Sequence, residues 1–207
     1  MRNRLIFSLL SALLLGAAVS ALSTGADFWR GWLAASLLAF LAVLALSSAW
    51  KWAGGGRGLA LMVALAFLLR LGVGIGASLA VQTYGYDEKV QKAGYLFSDA
   101  YTRDLDAWAL AQSDKPVWSS FQQDFVSDQY GGAIALSTLI YRTLSPDAHR
   151  RFLILILTAA LPALGLVFFW RALRDRWNDR IAALAGWLMA LYPEGILLGA
   201  AQLREPF

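Results

Sequence analysis

Apolar residues fall in long unbroken runs along this chain, separated by short polar stretches and by one long polar segment. The runs 5–22, 32–49, 59–81, 152–170 and 181–202 are built mostly from Leu, Ala, Val, Ile and Phe. A helix rises about 1.5 Å per residue, so about 20 such residues cross a hydrocarbon core of roughly 30 Å. The pattern therefore predicts an all-α, polytopic membrane protein with five spans in one membrane domain. The first run follows Arg2 and Arg4, the charge-then-apolar order of a signal peptide. It is long for one and further spans follow, so it reads as a span. Arg70 interrupts the third run, and Pro193 breaks the last.

The segment 82–151 has another character and predicts a large external loop. Its part 82–130 carries Asp87, Glu88, Asp99, Asp104, Asp106, Asp114, Asp124 and Asp128 out of 14 acidic residues in the chain. Within 97–111, Ala100, Asp104, Ala107 and Ala111 recur at helical spacing, as do Tyr101, Leu105 and Trp108. Ser98 or Asp99 can cap the start of that helix. Residues 131–144 are apolar but too short to span, and predict a helix lying along the interface.

Composition agrees: 58% of residues are hydrophobic and 15% charged, against about 25% charged in soluble domains. Seven of the Trp residues, from Trp29 to Trp187, sit near run ends, as in an aromatic belt. Nearly half of the 18 basic residues flank the apolar runs on one side, so the net charge of +4 speaks for topology and not for nucleic acid. With an internal N-terminus, Arg2, Arg4, Lys51, Arg57, Arg171, Arg174, Arg176 and Arg180 all fall inside, and the acidic segment and Glu205 fall outside. Absence of cysteine excludes thiolate metal sites, and a single histidine, His149, argues against a histidine-based one. Gly54-Gly55-Gly56 reads as a flexible turn, without the lysine and serine of a phosphate-binding loop. An intramembrane Arg70 needs an acidic partner or a cavity.

Three pieces of sequence carry a family resemblance. An early external Asp99 is followed by Tyr101 and alanines at helical spacing. Asp128-Gln129-Tyr130-Gly131-Gly132, running on to Tyr141-Arg142, precedes Arg150-Arg151-Phe152 at the start of a span. Tyr192-Pro193-Glu194 is followed by Leu203-Arg204-Glu205-Pro206. Together, over about residues 80–207, these resemble the N-terminal portion of the GT-C superfamily of membrane glycosyltransferases, in particular the protein O-mannosyltransferase and aminoarabinose transferase relatives. Many relatives carry an Asp-Glu or Asp-Asp pair where this chain has Asp99-Ala100, and an Asp-Glu pair occurs at Asp87-Glu88, so those two are the alternative catalytic pair. Two spans precede the one leading into the loop, where many relatives have one.

The resemblance implies a bacterial cytoplasmic-membrane enzyme that moves a sugar, with inversion, from a polyprenyl-phosphate donor to a lipid, glycan or protein acceptor at the external face. Asp99 would be the general base. Arg103, Asp104, Tyr101, Glu205 and Arg204 would bind substrate. Charge building on the phosphate calls for Arg side chains or a divalent metal cation. Arg150 and Arg151 are further external cations, read as lipid-headgroup contacts. The rival readings are a transporter or flippase, which would place its working charges at Arg70 and Glu194, and a non-catalytic membrane subunit. The chain ends just beyond a Pro-broken helix, which predicts a longer parent protein.

Overall fold

The computed structural model describes residues 2–23, 27–122 and 131–201. Those residues are all-helical, with no strand among them. In chain order the elements are α1 (Arg2–Ala21), α2 (Phe28–Trp52), α3 (Arg57–Tyr84), α4 (Lys89–Lys92), α5 (Ser98–Ala111), a 3-10 turn (Val117–Phe121), α6 (Gly132–Leu144), α7 (Phe152–Arg176), α8 (Asp179–Leu191) and α9 (Pro193–Gly199).

Three helices, α2, α3 and α7, are long and apolar enough to cross a membrane. α8 and α9 pass the same test as a pair bent by 55°. The first of the five expected spans differs: the apolar part of α1, Leu5–Ala21, is shorter than these three. It packs closely along α2 because small residues face each other. Ser8, Ala12, Ala35 and Ala39 are fully enclosed. A side chain at Gly16 would collide with Ser36, its Cβ meeting the Ser36 backbone nitrogen at 2.7 Å. Such small-on-small contacts let helix backbones approach. Trp32 adds a bond from its indole N–H to the Leu13 carbonyl at 3.0 Å.

The helices have two distinct ends. At one end, Gly54, Gly55 and Gly56 all take positive φ to reverse the chain between α2 and α3, which explains why three glycines stand there. Arg174, near the end of α7, donates to the Ala53 carbonyl at 3.2 Å, so the two basic turns 51–58 and 171–180 lie together. At the opposite end, Ser20 donates to Phe28 O at 2.7 Å and Ser78 to Gly94 O at 2.7 Å. There the segment between α3 and α7 folds into α4, α5 and α6.

Helix starts follow local chemistry. Asp27 caps α2 by accepting from Arg30 N at 3.0 Å, and Asn178 caps α8 through Arg180 N and Ile181 N. The cap expected at Ser98 or Asp99 is not made: the N-cap of α5 is Phe97, which offers no side-chain acceptor.

Of the acidic partner or cavity expected for Arg70, the contacts show neither: its guanidinium meets backbone carbonyls. It is 3% exposed, and donates to Ala66 O at 2.9 Å, Ala190 O at 3.4 Å and Met189 O at 3.4 Å. Pro193 has no N–H, so the carbonyl four residues earlier, Met189, loses its helical partner. Arg70 thus caps the end of α8 from a neighbouring helix, and Gly199 leaves room for it, since a Cβ there would sit 2.8 Å from Arg70 Cδ.

Candidate functional site

α5 and α6 form a helical hairpin. Arg142 of α6 donates to Leu110 O (2.6 Å), Ser113 O (3.0 Å) and Lys115 O (2.8 Å), which satisfies the carbonyls at the α5 C-terminus and complements its dipole. Thr138 donates to Ala107 O at 3.1 Å. These bonds fix the register that brings Asp104 of α5 opposite Tyr141 of α6.

Asp104 is the centre of a buried polar cluster, its side chain 0% exposed. Its Oδ1 accepts from the Tyr141 hydroxyl at 2.6 Å. Its Oδ2 accepts from the Tyr95 hydroxyl and pairs with His149 Nε2 at 2.7 Å. Three donors around one carboxylate are what a buried charge requires. Burial first, and then the negative charge of Asp104, push both tyrosine hydroxyls well above the usual phenol value, so they stay protonated donors. The His149 ring is clamped between aromatics. Trp108 stacks on it at 5.1 Å and 20°, and Tyr141 meets it edge-on at 5.1 Å.

His149 opens onto a cleft of about 280 Å³. Its polar lining includes Gln82, Tyr95, Tyr101, His149, Arg150 and Arg151, and its apolar lining includes Leu79, Leu105 and Phe152. Arg151 donates to the Ala93 carbonyl and lies over the rings of Tyr95 (5.7 Å) and Phe152 (5.0 Å). Burial pulls its pKa below the usual arginine value, so a negative ligand beside it would stabilise the cation. Gly94 has φ +83°, and a Cβ there would sit 2.6 Å from both Arg151 terminal nitrogens. The guanidinium rests where only glycine leaves space.

The sequence-derived candidates scatter around this centre. Tyr101 lines the cleft and packs edge-on against Tyr95 at 5.4 Å. Asp104, expected to touch substrate, is enclosed instead and is linked to the cleft lining through Tyr95 and His149. Arg103, expected as an anion-binding group, is 6% exposed and turned inward on α5. Asp99 is exposed in the first turn of α5, and its neighbour Ala100 packs with Tyr95 and Ala201. Asp87 and Glu88 are exposed ahead of α4, with Asp87 paired to Lys92 at 3.0 Å. Glu194 is exposed and accepts from the Tyr192 hydroxyl at 2.5 Å. Arg204, Glu205, Asp124, Asp128 and Tyr130 lie outside the described residues.

Arg150 does not meet headgroups. It is 3% exposed and bonds Asp147 through both terminal nitrogens at 2.9 Å, Ser145 Oγ at 2.8 Å and Asp27 O at 3.0 Å. It ties the start of α2 to the start of α7, and its hydrogen bonds hold the Asp147 carboxyl below the usual carboxylate range.

Sequence reasoning missed His149, Tyr95 and Tyr141. The available signal was a lone histidine directly before Arg150-Arg151 at the mouth of a span. Among the described residues, no three His, Asp or Glu side chains converge as a metal site needs. No family model, curated protein or solved structure matches this chain.

Proposed function

We propose that this chain is a polytopic membrane protein whose α4–α6 segment faces outward, and that it works as a GT-C-like glycosyltransferase taking a sugar from a polyprenyl-phosphate donor. The observation that carries this reading is the cleft where α3 ends and α7 begins. Cationic and imidazole groups stand there beside Leu79, Leu105 and Phe152. A site with an anion-binding pole and an apolar wall, at the end of membrane-length helices, suits a lipid phosphate. The basic turns gathered at the opposite end support the orientation, because basic loops stay cytoplasmic.

In this reading the acceptor hydroxyl gives its proton to the exposed Asp99 carboxylate as its oxygen attacks the anomeric carbon. The bond from that carbon to the phosphate oxygen breaks, its electron pair leaves with the polyprenyl phosphate, and the centre inverts. Arg151 stabilises the charge that develops on the phosphate. The transporter reading gains less support, since Arg70 is engaged by backbone carbonyls and Glu194 points outward.

The test supplies membranes containing the wild-type protein with polyprenyl phosphates carrying a panel of labelled sugars. One of them should be transferred above the level in membranes lacking the protein. Asp99→Asn should lower transfer at least about 100-fold, the usual worth of a positioned base, with normal insertion. No transfer by the wild type sinks the enzyme reading. Wild-type transfer by Asp99→Asn sinks only that assignment.

A further inference from the structure

We propose that the cleft holds the sugar of the lipid-linked donor beside its phosphate, and that His149 selects this sugar by accepting a hydrogen bond from one of its hydroxyls at Nδ1. This rests on the transferase reading above and adds the residue that reads the sugar.

The Asp104 carboxylate is wholly enclosed and accepts from the Tyr95 and Tyr141 hydroxyls. An ionised carboxylate has no hydrogen to give, so in its third contact, at 2.7 Å, the hydrogen belongs to His149 Nε2. A neutral imidazole that donates through one nitrogen accepts through the other, which makes Nδ1 an acceptor. Nε2 is spent on an enclosed partner, whereas the side chain is 25% exposed and lines the cleft. Nδ1 makes no hydrogen bond among the described residues. Trp108 stacked on the ring and Tyr141 at its edge keep the plane in place. The cleft wall thus carries a fixed acceptor that no protein donor among the described residues fills.

That acceptor sets the chemistry of its ligand. An ionised phosphate has no hydrogen to offer and would bring its oxygens against a lone pair. A hydroxyl supplies the hydrogen. Two further groups on the wall suit hydroxyls. Gln82 uses an amide N–H on Lys92 O at 3.2 Å, which leaves its own carbonyl oxygen to accept. The Tyr101 hydroxyl makes no hydrogen bond among the described residues and can donate or accept. Leu105 and Phe152 add apolar surface for the C–H faces of a ring. A cavity of about 280 Å³ with this lining fits a hydroxyl-bearing ring attached to the phosphate, not a phosphate alone. A site that receives a hydroxyl in this way rejects the analogue lacking it, because the acceptor is left unpaired.

Binding is measured on the full chain in detergent micelles at about pH 8, where imidazole side chains are generally uncharged, with no acceptor substrate present and hence no turnover. The probes are farnesyl phosphates carrying glucose, mannose or galactose, and farnesyl methyl phosphate is the sugar-free reference with the same charge. One of the glycosyl phosphates should bind about 10-fold more tightly than the reference, and one of its monodeoxy forms should lose about 10-fold. His149→Gln keeps an amide N–H within reach of Asp104 but has no atom where Nδ1 stands. There the parent glycosyl phosphate should weaken about 10-fold, to the level of that deoxy form, whose own affinity stays unchanged. Loss of structure alone would weaken both equally. His149 is the chain's single histidine, so its ring nitrogens give one pair of nitrogen NMR signals. The Nδ1 signal should move when the parent glycosyl phosphate is added and stay in place with the deoxy form.

Equal affinity of the reference and every glycosyl phosphate, an equal loss of parent and deoxy form in His149→Gln, or an Nδ1 signal indifferent to the parent overturns the proposal. The nitrogen signals decide on the wild type even if the variant does not fold. Transfer without His149-dependent selection sinks this inference alone, and His149-dependent selection without transfer sinks the transferase reading alone.

Discussion

Replacing Asp104 by Asn tests whether the polar cluster is a structural centre and not a surface site. The side chain is 0% exposed and accepts from three donors, Tyr95, Tyr141 and His149. Asparagine keeps the shape, but one of its two arms becomes a donor. Its oxygen, placed where Oδ2 stands, can still accept from Tyr95 and His149, and its NH2 then faces the Tyr141 hydroxyl, which must turn to accept. Hydrogen bonds to a charged group contribute about 1.5–3 kcal/mol each; the one to Tyr141 is reversed and the other two are weakened by loss of the charge. Rotation of the Tyr141 hydroxyl recovers part of this, which leaves a net loss of about 1–3 kcal/mol. For a chain of this size, 1 kcal/mol moves the midpoint by roughly 2–4 °C. Asp104→Asn should therefore lower the thermal midpoint in micelles by about 2–12 °C, read by Trp fluorescence with Trp108 beside His149. Asp99→Asn is the internal control, since that carboxylate is exposed, and its effect should stay within about 0.5 kcal/mol. Equal midpoints for Asp104→Asn and wild type would refute the arrangement, whatever the enzyme assays say.

Gly16→Val should destabilise the protein by about 1–3 kcal/mol or more, because its Cβ would meet Ser36 backbone atoms at 2.7 and 2.9 Å and push α1 from α2; an unchanged midpoint would refute that packing. Gly94→Ala should cost about 1–3 kcal/mol through its positive φ and should displace Arg151, seen as weaker binding of farnesyl methyl phosphate. The tyrosines predict alkaline lability. Their folded pKa values are raised, so their contribution is complete below the unfolded value of about 10 and is lost as pH rises above it. Tyr141→Phe should flatten that loss in a pH series of unfolding midpoints, and an unchanged slope would contradict it.

The long helices were legible because membrane-length segments are written in composition: α2, α3 and α7 each contain an expected run, and Pro193 marks the bend between α8 and α9. The inward face of α5 was legible too. The spacing of Ala100, Asp104, Ala107 and Ala111 is the face that the fold buries. What spacing could not supply was the partners. Tyr95, Tyr141 and His149 stand 9, 37 and 45 residues from Asp104, and they meet it only because Arg142 and Thr138 set the α5–α6 register. Placing Asp104 among the substrate-binding residues followed from the family resemblance, which carries no information about its depth. The partners of Arg70 were out of reach of the sequence for a related reason. A missing backbone donor at Pro193 is a partner that no side-chain inventory contains.

The central claim is that the cleft between the α3 end and the α7 start takes a polyprenyl phosphate. The most direct test is photo-crosslinking of a diazirine-bearing polyprenyl phosphate to the protein in nanodiscs, with the labelled residues mapped by mass spectrometry. The account predicts labelling around Leu79, Tyr101, Leu105 and Phe152, competed by unlabelled polyprenyl phosphate and reduced in Arg151→Gln. Labelling confined to the outer faces of α1, α2 and α3, unaffected by competitor or by that substitution, would contradict it.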